Sequence, residues 1–234
     1  MLISIIIPIY NEEKIIKKLL IKVNSVKKIK KEIILINDGS TDNTLKILKK
    51  DCKKLYTKII SYKKNMGKGY ACRLGIKKCT GDIIIIQDGD LEYNPRDYHK
   101  LINPILNNKT NIVYGSRVLA GGKRIRPKTL SFKIRIFANH FLTFLSNTLN
   151  NQNLTDAHTC YKVFKKKIIK KITLKEDGFN FCPELTTKFS KINEKIIEVP
   201  IDYFGRTIEE GKKIRFFDGI RAIFCLIKYR IKSS

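Results

Sequence analysis

Short apolar runs alternate with amphipathic segments along the first half of the chain. The apolar runs are rich in isoleucine and predict buried strands at residues 3–9, 32–38, 58–64 and 82–88. The segments between them have helical spacing and predict helices at residues 12–26, 40–55 and 69–79, the second capped by Ser40 or Thr41. Strands that alternate with helices in this way indicate an α/β protein with a parallel sheet covered on both faces.

The second half of the chain has a different pattern. Strands are predicted at residues 111–117 and 194–203, and two basic amphipathic helices at residues 130–149 and 216–232. The apolar stripes of these helices either pack into the core or lie in the interface of an anionic membrane, and the sequence leaves both interpretations open. No repeat or low-complexity linker divides the chain, so we expect a single domain over residues 1–234.

Polar residues follow each of the four strands predicted in the first half. They lie at residues 10–12, 37–39, 65–69 and 88–90, and they are hydrogen-bond acceptors, glycines or both. The carboxyl ends of parallel strands lie at the same edge of a sheet, and ligands bind at that edge in open α/β sheets. These positions are therefore the first candidates for a functional site.

Asp88 and Asp90 follow an isoleucine-rich strand and are separated by one glycine. Two carboxylates this close repel each other unless a cation lies between them. Mg²⁺ or Mn²⁺ takes one or two carboxylates and leaves its other positions to water and substrate phosphates. The pair therefore predicts a metal site for a diphosphate, with Glu92 as a further ligand, although a turn with solvated acids is the alternative.

The segment "NMGKGYA" at residues 65–71 has two interpretations as well. It is either a plain glycine turn before a helix or a loop that brings backbone N–H groups and Lys68 to a phosphate. The spacing of a P-loop is absent.

The chain carries a net charge of +27, which predicts an anionic partner: nucleic acid, nucleotide phosphates or an anionic membrane surface. A nucleic-acid-binding protein is the non-enzyme alternative, but no recognised module or stacking platform supports it. The six cysteines form no CxxC pair, which is typical of reduced thiols in a cytoplasmic protein rather than a zinc site. No signal peptide or transmembrane helix is expected.

The motifs "SIIIPIYNEE", "LINDGSTDNT", "NMGKGYA", "IIQDGDLEYNP" and "IVYGSR" occur in the order and rough spacing of a family 2 glycosyltransferase. Residues 154–166, 178–188 and 198–223 further resemble the dolichol-phosphate mannose synthase-like branch of that family. The resemblance implies a GT-A fold, in which a Rossmann-like, mostly parallel sheet is flanked by helices. Residues 1–117 would bind the nucleotide sugar, and residues 118–234, which include the C-terminal amphipathic helix, would form the acceptor side.

The same resemblance implies a role for individual residues. Asp88, Asp90 and Glu92 would bind the metal, and Arg117 would grip the acceptor phosphate with help from Lys133 and Arg135. The residues that would bind the nucleotide sugar are Pro8, Tyr10, Glu12, Asp38, Gly67, Lys68, Asp88, Arg206, Lys212 and Lys213.

The implied reaction is an inverting transfer of a hexose from a GDP- or UDP-linked sugar to a polyprenyl phosphate, dolichyl or undecaprenyl, with Mg²⁺ or Mn²⁺. A lipid phosphate is already anionic and needs positioning rather than a strong base. A saccharide hydroxyl, as in cell-surface polysaccharide synthesis, would need a base, and Asp156 is the candidate unless it is a helix cap or loop acid. We expect a cytoplasmic enzyme that is peripheral on the cytoplasmic face of a membrane and has no nucleic-acid partner.

Overall fold

In a computed structural model the chain folds around one central sheet. The structure describes residues 1–125, 127, 129–207 and 216–231. The strands are β1 (Ile3–Ile9), β2 (Lys31–Asp38), β3 (Lys58–Tyr62), β4 (Ile83–Ile86), β5 (Ile112–Ser116), β6 (Arg124–Ile125), β7 (Lys162–Lys165), β8 (Ile196–Pro200) and β9 (Tyr203–Phe204). The helices are α1 (Ile16–Ser25), α2 (Thr44–Asp51), α3 (Lys68–Lys78), α4 (Tyr98–Leu106), α5 (Leu130–Asn150), α6 (Lys166–Ile169), α7 (Phe181–Lys191) and α8 (Phe216–Ile231).

The central sheet has seven strands in the order β3-β2-β1-β4-β7-β5-β8. All neighbouring strands in it are parallel except at β7, which runs antiparallel to both β4 and β5. The predicted mostly parallel sheet is therefore confirmed, and β7 is the exception that the apolar pattern did not indicate. This strand has only four residues and a lysine at each end, so it lacks the continuous apolar run of the other strands.

The isoleucine-rich strands lie in the middle of the core. All four residues of β4 are buried, as are Ile5, Ile6 and Ile7 of β1. Consecutive side chains of a strand point to opposite faces, so burial of every residue means that both faces are covered. Helix α3 packs on β1 and β2, and α4 packs on β5 and β7.

Two helices begin later than their sequence pattern predicts. Helix α1 begins at Ile16 and α2 at Thr44. The residues before each helix form a loop instead, and the two loops are hydrogen-bonded to each other. The N–H of Asn11 donates to Ser40 Oγ over 3.0 Å, and the N–H of Thr41 donates to Asn11 Oδ1 over 2.8 Å. The predicted capping of α2 by Ser40 or Thr41 is therefore wrong.

Candidate functional site

The strand ends that carry polar residues meet at one edge of the sheet, as predicted. Strand β1 lies between β2 and β4, and its Ile9 pairs with Asn37. The Asp88–Asp90 turn passes directly over β1, because a Cβ on Gly89 would lie 2.9 Å from the carbonyl oxygen of Pro8. Pro8, in β1, and Tyr10, just after that strand, are half-buried.

Asp38 holds the glycine loop that precedes α3. Its carboxylate accepts hydrogen bonds from the N–H of Met66 over 2.7 Å and from the N–H of Gly67 over 2.9 Å. Gly67 has a φ of +98°, a region that glycine adopts readily and other residues avoid. The loop thus has a fixed shape that brings Lys68, the first residue of α3, to the end of β4.

Lys68 and Asp88 form an ion pair with 2.5 Å between Nζ and Oδ1. Burial alone would lower the pKa of Lys68, but the charge of Asp88, together with smaller contributions from Cys160, Cys182 and Cys72, raises that pKa well above its usual value. The lysine therefore stays protonated, and a fixed positive charge stands next to the first carboxylate of the acidic pair.

Arg206 reaches the second carboxylate from the far end of the chain. Its guanidinium lies 3.0 Å from Asp90 Oδ2 and 3.2 Å from Glu12 Oε2. Its backbone N–H donates to Glu92 Oε1 over 2.8 Å. Residues 12, 90, 92 and 206 are thereby drawn into one cluster, although nearly two hundred positions separate the first from the last.

The donor atoms of this cluster suit a hard divalent cation. Asp88 and Asp90 present carboxylate oxygens from one turn, the ligand type that Mg²⁺ and Mn²⁺ prefer. Within the described residues, however, no group of three or more His, Cys, Asp or Glu side chains is arranged to hold a metal. Arg206 Nε is buried and has no hydrogen-bond partner in the described part of the chain, which leaves a donor for an anionic ligand such as a diphosphate.

A second charged pair lies at the end of β5. Arg117 donates from Nε to Asp156 Oδ2 and from Nη2 to Asp156 Oδ1, each over 2.7 Å, in a bidentate arrangement. Asp156 is completely buried, and burial would raise its pKa. The charge and hydrogen bonds of Arg117 outweigh that effect and lower the pKa of Asp156 to about 2.

This geometry weakens the case for Asp156 as a general base. A carboxylate with such a low pKa has little affinity for a proton, and efficient bases have a pKa near the working pH. Both of its oxygens already accept from Arg117. Its evident role is to hold the guanidinium of Arg117 in one orientation.

Three side chains that the sequence analysis did not single out complete this pair. Asn139 of α5 accepts from Arg117 Nη2 and donates to Asp156 Oδ1, both over 3.2 Å. Glu198 of β8 accepts from the backbone N–H groups of Thr155 and Asp156. The ring of Tyr203 lies 5.3 Å from the Arg117 guanidinium. The acid of "IIEVP" was a visible signal, since a glutamate within an apolar strand needs partners, whereas Asn139 gave none.

Some predicted site residues are not brought to the two pairs. Lys133 is exposed and Arg135 half-buried in the first turns of α5, and the helix reaches Arg117 through Asn139. Lys212 and Lys213 lie outside the described residues.

A sequence model of the family described as "Glycosyl transferase family 2" matches residues 4–173. The chain belongs to this family. It is accordingly a glycosyltransferase, and the resemblance drawn from its strand-end motifs is confirmed.

Two curated archaeal relatives support the dolichol-phosphate branch of the family. The chain is 34% identical over 221 residues to the UDP-N-acetylglucosamine–dolichyl-phosphate N-acetylglucosaminyltransferase of Methanococcus voltae, covering 86% of this chain and 84% of that protein. It is 27% identical over 235 residues to the dolichol-phosphate mannosyltransferase of Pyrococcus furiosus, covering 98% of this chain but only 64% of that protein.

Solved structures confirm the fold. Glucosyl-3-phosphoglycerate synthase of Mycobacterium tuberculosis in complex with Mn²⁺, UDP and glucosyl-3-phosphoglycerate matches 99% of this chain and 81% of its own, with a TM-score of 0.71 and 17% identity. The same enzyme in complex with Mg²⁺ and UDP matches with a TM-score of 0.72 and 16% identity. At this identity the likeness establishes the GT-A fold.

Proposed function

We propose that the protein is an inverting, metal-dependent glycosyltransferase that moves a hexose from a GDP- or UDP-linked sugar to a polyprenyl phosphate at a membrane surface. Two groups of fixed cations and carboxylates along one sheet edge carry the proposal. The first contains the ion pairs Lys68–Asp88 and Arg206–Asp90, and the second is the ion pair Arg117–Asp156. The first group suits a nucleotide diphosphate, and the second presents a fixed cation to an acceptor. The names of the two archaeal relatives support a dolichyl-type lipid phosphate as that acceptor.

Residues 1–117 would form most of the donor side. Asp88 and Asp90 would hold Mg²⁺ or Mn²⁺, with Glu92 beside them, and the cation would supply Lewis-acid stabilisation of the leaving diphosphate. Lys68 and Arg206, which neutralise these carboxylates in the structure, add positive charge where negative charge develops. Pro8, Tyr10, Glu12, Asp38 and Gly67 would line the nucleotide pocket, and Lys212 and Lys213 would extend the positive charge.

Residues 118–234, together with Arg117, would form the acceptor side. A phosphate monoester carries its own negative charge, so its oxygen attacks the anomeric carbon without prior removal of a proton by a base. Attack from the face opposite the leaving diphosphate inverts the configuration. Arg117, oriented by Asp156 and Asn139, would fix the phosphate, and Lys133 and Arg135 would add to the positive field.

A hydroxyl acceptor suits this site less well. Its proton would have to go to a base, and the candidate Asp156 is committed to Arg117 with a pKa of about 2. The polysaccharide alternative is therefore not favoured. The proposal includes no nucleic-acid partner, and it places the enzyme in the cytoplasm, peripheral on the membrane face from which nucleotide sugars are supplied.

The test is a matrix of nucleotide sugars and acceptors in the presence of Mg²⁺ or Mn²⁺. GDP- and UDP-linked hexoses and N-acetylhexosamines are each combined with a short-chain polyprenyl phosphate and with a saccharide, and products are detected by mass spectrometry. A lipid-phosphate sugar as product supports the proposal. Transfer only to the saccharide would refute the assigned acceptor.

Asp90→Asn tests the acidic pair in the same assay. We expect at least about a hundredfold loss of kcat, because the variant keeps the shape of the side chain but loses the charge that holds the cation. Asp82→Asn is the matched control, since Asp82 precedes the same strand at the opposite edge and its carboxylate accepts only from the N–H of Leu2 among the contacts described. Equal activity of the two variants would contradict the assignment.

A further inference from the structure

Helix α5 carries a row of apolar side chains on its solvent side. Leu130, Ile134, Phe137, Phe141 and Phe144 are between 49% and 75% exposed. They recur at intervals of four and three residues, which places them on one face of the helix. Three exposed phenylalanines on one helix face are costly in water, because each leaves a large apolar area unburied.

Helix α8 carries a second row of the same kind. Ile220, Phe224, Ile227 and Ile231 are between 37% and 77% exposed and recur at intervals of four and three residues. The two helices pack against each other and both contact α7. We call these nine residues of α5 and α8 the apolar face.

Both helices pack against the rest of the protein, so the exposure of these rows does not mean that the helices are undocked. The opposite side of α8 is buried through Ala222, Cys225, Leu226 and Tyr229, and α5 buries Phe132, Thr143, Ser146 and Asn150. Both helices thus dock on the protein with one side and present apolar side chains on the other. A cluster of large exposed apolar residues of this size marks an interaction site in soluble proteins.

The charges beside the apolar face indicate what covers it. Helix α5 contains no Asp or Glu, and α8 contains only Asp218. Arg221 and Arg230 are exposed on α8, each next in sequence to a residue of its apolar row, and Lys133 is exposed on α5. A second copy of this chain would bring like charges together, whereas anionic lipid headgroups complement them.

The position of α5 connects this face with the acceptor side of the site. The same helix that carries Phe137 and Phe141 outward carries Asn139 inward, and Asn139 bonds both Arg117 and Asp156. A surface that holds the outer side of α5 is therefore one helix diameter, about 10 Å, from the group assigned to the acceptor phosphate.

We propose that the apolar face lies in the interface of an anionic membrane, with its phenylalanines among the acyl chains and the flanking Arg221 and Arg230 among the headgroups. The assignment of the lipid acceptor rests on the proposed function. The membrane contact itself rests on the exposed rows and their basic flanks. Among the described residues no helix is long and apolar enough to cross a membrane, so contact through these helices is along the surface.

The test is flotation of the purified chain with vesicles of phosphatidylglycerol mixed with phosphatidylcholine. We expect the double variant Phe137→Ser/Phe224→Ser to lose vesicle affinity by at least about tenfold, because it removes from each helix one aromatic ring that the membrane would bury. Ile21→Ser is the matched control, because Ile21 is a comparably exposed residue on α1. Both variants alter exposed positions, and thermal unfolding checks that each retains the fold.

The electrostatic part has its own variant. Arg221→Gln/Arg230→Gln should weaken binding to the mixed vesicles by about fivefold per charge removed, with a smaller effect on pure phosphatidylcholine. Equal binding of wild type and both double variants to the mixed vesicles would overturn the proposal. So would a soluble dimer that Phe137→Ser/Phe224→Ser dissociates while vesicle binding is unchanged, since the face would then join two copies.

Transfer assays separate this inference from the proposed function. With the acceptor embedded in vesicles, Phe137→Ser/Phe224→Ser should reduce transfer about as much as it reduces binding. With a short water-soluble acceptor phosphate, the variant should retain wild-type kcat/KM. If Phe137→Ser/Phe224→Ser loses vesicle binding but the wild type transfers no sugar to any lipid phosphate, the membrane contact is supported and the assigned acceptor is refuted.

Discussion

Arg117 and Asp156 show how one side chain can be held in place by another. Taking both charges out of water is costly, and the bidentate geometry offsets that cost together with hydrogen bonds from the backbone N–H of Arg117 and from Asn139. The guanidinium is thereby fixed before any ligand arrives. Preorganised positive charge of this kind is what an anionic acceptor needs.

Arg117→Lys tests this arrangement. Lysine keeps the charge but cannot form the two parallel hydrogen bonds to Asp156, so the ammonium is held less firmly. We expect the KM for the acceptor to rise about tenfold while the KM for the nucleotide sugar stays within a factor of two. Steady-state kinetics with each substrate varied in turn measures both constants. A change confined to the KM for the nucleotide sugar would contradict the assignment of Arg117 to the acceptor.

At the residue scale the sequence analysis was strongest for the acidic pair. Asp88 and Asp90 follow a continuous apolar strand, and such a strand ends at the ligand-binding edge of a parallel sheet. Asn139 was missed because an asparagine within an amphipathic helix carries no periodic signal. Its role depends on which residues lie across from it, and that information is tertiary.

The segment before α3 is the element in which local conformation matters most. Gly67 has a φ of +98°, and a Cβ there would lie 2.5 Å from the carbonyl oxygen of Asp177. The N–H of Tyr70 donates to that same carbonyl over 3.0 Å. The start of α3 and the segment before α7 are therefore packed backbone to backbone, which fixes Lys68 beside Asp88.

Gly67→Ala should lower the free energy of unfolding by about 1–3 kcal/mol, because alanine is strained at this φ and its Cβ displaces the facing carbonyl. Nucleotide affinity should fall as well, since Lys68 moves with the loop. Gly178→Ala is the matched control, because Gly178 lies in the facing segment and a Cβ there would meet nothing within 4 Å. Urea unfolding and calorimetric titration with UDP and GDP measure the two effects, and similar results for both variants would contradict the packing argument.

Predictions of elements succeeded for the apolar strands, missed the short strands β6, β7 and β9, and were less accurate at the starts of helices. In an α/β protein a continuous apolar run indicates a strand that is buried on both faces. The bounds of β1 and β2 accordingly agree with the predicted ones within a residue. The residues before α1 and α2 looked helical by composition. They instead bond the two loops together, and a local pattern does not contain such a contact.

At the scale of the whole molecule, β7 brings a lysine into the core. Lys162 is fully buried, its Nζ lies 3.6 Å from the centre of the Tyr114 ring, and it donates to the carbonyl of Ala157 over 2.8 Å. Burial lowers the pKa of Lys162 from 10.5 to about 8. The strand pairs with both β4 and β5, so this lysine lies where the two halves of the sheet join.

The stability of the protein should depend on pH through this residue. Between about pH 8 and pH 10.5 the unfolded chain keeps the proton that folded Lys162 has released, so stability rises with pH over that window and is lower below it. The free energy of unfolding of the wild type relative to Lys162→Met should increase by roughly 1–3 kcal/mol from pH 7.5 to pH 10. Lys165→Met on the same strand controls for loss of a lysine. A wild-type-to-variant difference that is constant with pH would contradict the shift.

The sequence by itself determined the strands that are continuous apolar runs, the existence of the helices between the first four of them, and the position of the acidic pair at a strand end. Those features follow from hydrophobic periodicity and from local chain direction, which adjacent residues encode. Only the tertiary structure decided that β7 runs antiparallel, that Arg206 meets Glu12 and Asp90, and that α5 and α8 bury one side and expose the other. Each of these depends on contacts between residues far apart in the chain, and such contacts exist only once the sheet has brought distant segments together.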